Sequence, residues 1–193
     1  MIGSTRLDAV VKVGGGLLRE PGALAATAAA LARAAERHRV LVVTGGGPFA
    51  DAVRALDREH SLGDDAAHWM AVLAMEQYAW AVATTVSRAR LVASREEIAA
   101  ALDDRAVPVL APYRWLREAD PLPHSWDVTS DSIAAWFAGA LGARRLVLVK
   151  PAGADPAAPD VVDPYFSRAL DGLAHSILPA HRVAELAGRL DRP

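Results

Sequence analysis

Twice within the first 47 residues an apolar run ends in three consecutive glycines: Val10-Val11-Lys12-Val13 into Gly14-Gly15-Gly16, and Val42-Val43-Thr44 into Gly45-Gly46-Gly47. A short apolar run closed by glycine reads as a buried strand. Each ordered glycine costs roughly 1 kcal/mol, so a plain turn has little use for three. The second triplet leads into Pro48, which fits the first position of a helix, where a missing N–H removes no hydrogen bond. The free amides and dipole of a helix start attract anions, and glycine lets a phosphate approach the backbone. The pattern predicts strand, glycine loop and helix, with an anion at the second loop. A tight strand-to-helix turn is the plainer alternative.

The rest of the chain continues the alternation. Strands are expected at 9–13, 39–44, 90–93, 107–111 and 145–149. Helices are expected at 23–37, 48–60, 65–86, from the cap Ser94 to 102, at 129–141, 165–173 and 181–190. Residues 112–127 and 151–164, both proline-bearing, read as loops. Strands alternating with helices argue an α/β domain with a mostly parallel sheet. Ligands of such sheets sit at the carboxyl ends of the strands. Lys12, both glycine loops, Thr44 and Lys150 fall at strand carboxyl ends and are expected along one sheet edge.

Composition narrows the chemistry. The chain has 193 residues, a net charge of −2 and no cysteine. One domain of this length can bury a real core. The charge balance excludes a nucleic-acid surface, and the missing cysteines exclude disulfides, thiolate metal sites and a cysteine nucleophile. No segment reads as a signal peptide or a membrane span, so a cytoplasmic protein is expected. Of 21 basic residues only Lys12 and Lys150 are lysines. Lysine is a compact point charge on a flexible stem, suited to following a moving phosphoryl group. Chance retention under a codon bias toward arginine is the other explanation.

Lys12 lies inside an apolar strand, where a buried ammonium needs an anion. That anion is either a polyphosphate beyond Gly14-Gly15-Gly16 or a carboxylate such as Asp131. Asp131 fits the first turn of a helix, where a carboxylate is favoured with or without a role toward the lysines. Lys150, directly after a strand, would neutralise charge on a transferring phosphoryl group. On the helix that follows residue 63, Asp64 or Asp65, His68, Val72 and Met75 share a face. They suit a cationic or ring-bearing substrate, or simply an interface. GxxxxGK[ST], HExxH and GxSxG are absent, and no set of ligands suggests a bound metal. Gly45-Gly46-Gly47-Pro48-Phe49-Ala50 formally fits a dinucleotide fingerprint with Asp64 or Asp65 some way on, but that acid should end a strand.

VVKVGGG, VVTGGG about 30 residues later, and a Thr129-Ser130-Asp131 helix before an apolar strand together resemble the amino acid kinase superfamily. AHWMAVLAM, PYRWL, LPHSWDVTSDSIAAW and VVDPYF resemble a narrower group within it, the [5-(aminomethyl)furan-3-yl]methyl phosphate kinase-like proteins of methanofuran biosynthesis. The resemblance implies a three-layer αβα sandwich with an open, mostly parallel sheet, commonly dimeric or of higher homo-oligomeric state. It implies ATP and Mg²⁺ and a small phosphorylated acceptor. By it, Lys12, Asp131 and Lys150 are catalytic. Gly14, Gly15 and Gly16 serve ATP with the two lysines. Gly45, Gly46 and Gly47 hold the acceptor; with such an acceptor, Arg54 would face its phosphate or simply solvent, and Asp64, Asp65 or His68 its ammonium group. Many relatives read Thr-Asp-x-x-Gly where this chain has Lys150-Pro151-Ala152-Gly153, and a single domain with a shortened nucleotide-binding part is expected. A non-catalytic nucleotide- or metabolite-binding member of the fold is the alternative.

Overall fold

The computed structural model describes residues 6–191. The sheet is built from β1 (Ala9–Val13), β2 (Val40–Thr44), β3 (Ala89–Val92), β4 (Val107–Leu110), β5 (Leu146–Lys150) and β6 (His175–Pro179). The helices are α1 (Ala23–Ala35), α2 (Gly47–His60), α3 (Asp64–Thr85), α4 (Arg95–Asp103), α5 (Tyr113–Ala119), α6 (Ser130–Ala140), α7 (Phe166–Leu170) and α8 (Leu186–Leu190). Tight 3₁₀ turns occupy Gly15–Arg19 and Ala180–Glu185. The strand order is β3-β4-β2-β1-β5-β6, and every pairing is parallel.

Both faces of the sheet are covered, which explains why β1, β2 and β4 are buried throughout rather than alternating. Val11, Val13, Val42, Val147 and Val149 face α1, α8 and the later part of α3. Val10, Leu41, Val43, Leu146 and Leu148 face α4, α6 and the early part of α3. The expected α/β sandwich is therefore the observed one.

Four local expectations are corrected. Residues 113–119 form α5 inside what reads as a proline loop, because Leu116 is buried and Trp115 packs edge-on against Phe137. His175–Pro179 adds a sixth strand that is too short to show a period, and the helix expected from 181 is a 3₁₀ turn followed by α8. Gly47, not Pro48, opens α2, with Gly46 as its cap. Pro48 still occupies the first turn, where its missing N–H is harmless.

The glycine loops pack against each other. A Cβ on Gly15 would lie 2.3 Å from the Gly47 backbone nitrogen. A Cβ on Gly46 would lie 2.3 Å from the Cβ of Ala50. Glycine is thus required for the two loops to share one edge of the sheet, whatever they bind. Thr44 and Tyr78 tie this edge to α3. Thr44 Oγ1 donates to the Met75 carbonyl at 2.8 Å, and Tyr78 Oη donates to the Gly14 carbonyl at 3.4 Å.

The start of α6 is fixed from a distance. Thr129 is its cap residue but makes no side-chain capping bond. Asp163, in the segment after β5, accepts from Thr129 N at 3.0 Å, Thr129 Oγ1 at 2.8 Å and Ser132 N at 3.0 Å. It also accepts from Ser132 Oγ. One carboxylate therefore caps α6 and pins the segment that follows β5.

Two substitutions test these constraints. Asp163→Ala is expected to lower stability by about 3 kcal/mol, read by urea denaturation, because a cap and several charge-assisted bonds vanish together. Gly15→Ala is expected to cost about 2 kcal/mol, since backbone rather than a flexible side chain must move. Ala at Gly153, which has open space around it, serves as the control.

Candidate active site

Parallel register brings the expected residues to one edge. Lys12 sits opposite Val43 of β2 and Leu148 of β5, and Val13 sits opposite Thr44 and Val149. Strand alternation turns Lys12 to the opposite face from Val11 and Val13, toward α6. There Lys12 Nζ lies 2.8 Å from Asp131 Oδ1 as an ion pair. Lys150 Nζ donates to Asp131 Oδ2 at 2.5 Å. The Lys12 side chain is 5% exposed, that of Asp131 6% and that of Lys150 12%.

Two ammonium groups thus share one carboxylate. Burial opposes the charge of Asp131, but Lys12 and Lys150 outweigh it and hold the carboxyl below its ordinary pKa. Burial, and then repulsion from Lys12, pull Lys150 below the ordinary lysine value, against the pull of Asp131 and the more distant Asp163. The cluster has spare positive charge and spare donors at the sheet edge. It is suited to receive an anion.

Beside it lies a cavity of about 200 Å³. Gly15, Gly16, Gly46 and Gly47 form one wall, and Thr129 and Ser130 continue it toward Asp131. α3 supplies Asp64, Ala67, His68, Ala71, Val72 and Met75, a stripe at helical spacing. Arg54 and Asp51 of α2, with Arg19, add charge. Trp126 closes a side: its Nε1 donates to Asp57 at 2.8 Å, and the Arg54 guanidinium lies 4.6 Å from its ring centroid. Arg54 also sits 3.6 Å from Asp51, which pairs with Arg19.

Of the residues singled out in the sequence, Gly15, Gly16, Gly46, Gly47, Arg54 and His68 line this cavity, and Lys12, Asp131 and Lys150 cluster next to it. Gly14 and Gly45 stand behind the wall. A Cβ on Gly14 would meet the Val149 carbonyl, and one on Gly45 the Gly15 nitrogen. Asp65 is turned away. One helical step from Asp64, its carboxylate meets His124 Nδ1 at 2.6 Å. His68 is buried, and burial together with His124 lowers its pKa to about 4, so it is neutral near pH 7. The dinucleotide alternative fails on position, because Asp64 and Asp65 open a helix and end no strand.

Sequence reasoning passed over Trp126, Arg19, Asp51 and Asp163. Arg19 and Asp51 belong to no period or motif that points at a cavity, whereas Trp126 lies in the LPHSWDVTSDSIAAW run. Asp163 had a signal, since it lies in the VVDPYF run. Among the described residues no cluster of three or more His, Asp or Glu could hold a metal ion. No described helix is long and apolar enough to cross a membrane.

Comparison with known proteins places the fold and the family. The [5-(aminomethyl)furan-3-yl]methyl phosphate kinase of Methanocaldococcus jannaschii is 23% identical over 139 residues, 72% of this chain and 63% of that protein. The chain therefore spans less than two thirds of the length of this curated relative. Two solved structures share the fold. The uridylate kinase of Archaeoglobus fulgidus superposes with a TM-score of 0.68 at 15% identity, over 93% of this chain and 95% of that one. The UMP kinase of Ureaplasma parvum superposes with a TM-score of 0.70 at 13% identity, over 96% of each. A model of the amino acid kinase family matches residues 9–152, most of the chain and every residue of the lysine–carboxylate cluster. The chain belongs to the amino acid kinase family.

Proposed function

We propose that the chain is a kinase that moves the terminal phosphoryl group of ATP to a small phosphorylated acceptor, yielding a diphosphate and ADP. The acceptor we favour is [5-(aminomethyl)furan-3-yl]methyl phosphate, which places the step in methanofuran biosynthesis. The observation that carries the reaction type is the buried pair of lysines sharing Asp131 beside two glycine loops. The similarity to the M. jannaschii enzyme supports the acceptor.

An acceptor phosphate oxygen forms the new bond to the γ-phosphorus as the bond to the ADP oxygen breaks. Such transfer needs positioning and charge neutralisation rather than a covalent intermediate. Lys12 and Lys150 neutralise charge on the group in flight, and Asp131 fixes where their ammonium groups stand. Gly15 and Gly16 serve the ATP phosphates, with Gly14 behind them, Lys150 and the segment after β5. Glu20 holds that segment by accepting Ala152 N at 2.9 and 3.1 Å. Gly46, Gly47 and Arg54 serve the acceptor phosphate, with Gly45 behind them, and Asp64 and His68 its amine and ring. Mg²⁺ would ride on phosphate oxygens, since both Asp131 oxygens already face lysines. When bound, Mg²⁺ would supply positive charge that offsets the charge of the phosphates.

A single domain, a cytoplasmic location and a homodimer complete the proposal. The outer face of α3, where Leu73 is 40% and Trp80 61% exposed, is the pairing surface we favour.

A coupled assay for ADP with a panel of phosphorylated acceptors tests the reaction. ATP binding without turnover on any acceptor points instead to a non-catalytic member of the fold. Lys12→Ala is expected to cut kcat about 100-fold or more while the fold survives, because Lys150 still pairs Asp131. Unchanged turnover would sink the assignment. Asp131→Asn leaves two ammonium groups without their carboxylate and is expected to lower stability by about 3 kcal/mol. In urea denaturation, added sulfate should restore part of that loss.

A further inference from the structure

Residues 120–128 connect α5 to α6 and lend Ser125, Trp126 and Val128 to the cavity wall. Leu122 and Val128 are buried apolar anchors of this segment. Its polar ties to α2 and α3 run through side chains. Trp126 reaches Asp57 on α2. His124 does more: Nδ1 lies 2.6 Å from Asp65 Oδ1 on α3, and Nε2 lies 2.8 Å from Asp120 Oδ1 at the end of α5.

That arrangement dictates a protonation state. A neutral imidazole has one N–H and one lone pair, whereas the imidazolium has two N–H donors. Two carboxylates on opposite ring nitrogens are both satisfied only by the cation. Loss of the proton turns one contact from attraction into a lone pair facing a carboxylate. The surroundings agree. From α3, the His68 ring stacks on His124 at 4.2 Å and 16°, and Trp69 meets it edge-on at 4.9 Å. His68 is neutral, so the stack adds no second positive charge. From α5, the Arg117 guanidinium lies 4.5 Å from the centroid of the Trp69 ring.

We propose that His124 is a positioning residue: as an imidazolium it joins Asp65 to Asp120 and holds segment 120–128, with Trp126, as the wall of the acceptor cavity. This rests on the acceptor reading of that cavity. Partial burial disfavours the charge of His124, but the bonds to Asp65 and Asp120 outweigh it and raise its pKa. For a histidine raised by folding, the contribution is fully present below the unfolded value and is lost as pH climbs through the folded one. The wall is therefore firm in mild acid and loosens toward alkaline pH, the reverse of a switch opened by acid.

The test reads the latch without turnover. NMR of the imidazole protons of the full chain, assigned with His124→Gln, follows the titration. His124 is expected to titrate above the ordinary histidine value, and Asp65→Asn to lower that pKa. Asp65 has an 87% exposed side chain, so this variant leaves the core intact even if His124→Gln folds poorly. Acrylamide quenching of tryptophan fluorescence, with Trp126→Phe to isolate the reporter, follows the wall. Trp126 is expected to lose protection as His124 deprotonates, and to lose it at lower pH in Asp65→Asn. A His124 that titrates at or below the ordinary value overturns the proposal, as does Trp126 protection indifferent to both pH and Asp65→Asn. A chain without kinase activity that shows both effects would sink the kinase reading and leave the latch standing.

Discussion

Where β1, β5 and α6 converge, two ammonium groups are held on one carboxylate with almost no access to water. Each member would be costly alone in such a place. Together they are tolerable because Asp131 sits in the first turn of α6, where the helix dipole adds to the attraction of the lysines. The cluster remains richer in positive than in negative charge at its centre, and the nearest further acid, Asp163, is already engaged by the start of α6. Architecture elsewhere serves this point. Parallel pairing of β1 with β5 sets Lys12 and Lys150 at one edge, and Asp163 holds α6 so that Asp131 stands between them.

The glycine loops follow from the same constraint. Adjacent parallel strands end at nearly the same height, so the chains leaving β1 and β2 must pass each other within van der Waals distance. Side chains at Gly15 or Gly46 would collide with backbone or with Ala50. The absence of side chains thus has two consequences at once. It lets the loops close against each other, and it leaves bare amides beside the lysines. Packing and the proposed anion binding are not competing explanations of these glycines, because one geometry permits both.

Much of this was legible in the sequence, for identifiable reasons. β1 is an unbroken apolar run closed by glycine, and its bounds of 9–13 are those expected. The two lysines stand out because arginine replaces lysine everywhere else. What stayed hidden depends on contacts distant in sequence. Asp163 caps a helix that begins 33 positions earlier, and nothing local marks it as a cap. His124 lies 59 residues from Asp65 and 56 from His68, so no helical or strand period links them. The choice between Asp64 and Asp65 needed the phase of α3 relative to the sheet, which adjacent acids at a helix start cannot reveal. α5 and β6 were missed because prolines around them and their short lengths mask any period.

The two halves of the site are built to different tolerances. The lysines and the glycine loops are fixed by backbone: sheet register, close-packed loops and a capped helix. Shifting any of them means moving a strand. The far wall of the cavity is fixed by side chains, through Trp126 on Asp57, Arg54 on the indole ring and His124 between two acids. Exchanging one of these residues can reshape that wall without disturbing β1 or α6. On the proposed kinase reading, a scaffold so divided can keep its phosphoryl chemistry constant while the segment between α5 and α6 determines which acceptor is admitted. In this chain Trp126 of that segment shares the cavity with the neutral imidazole of His68 and the carboxylate of Asp64, both from α3, a lining suited to a small ring that carries an amine.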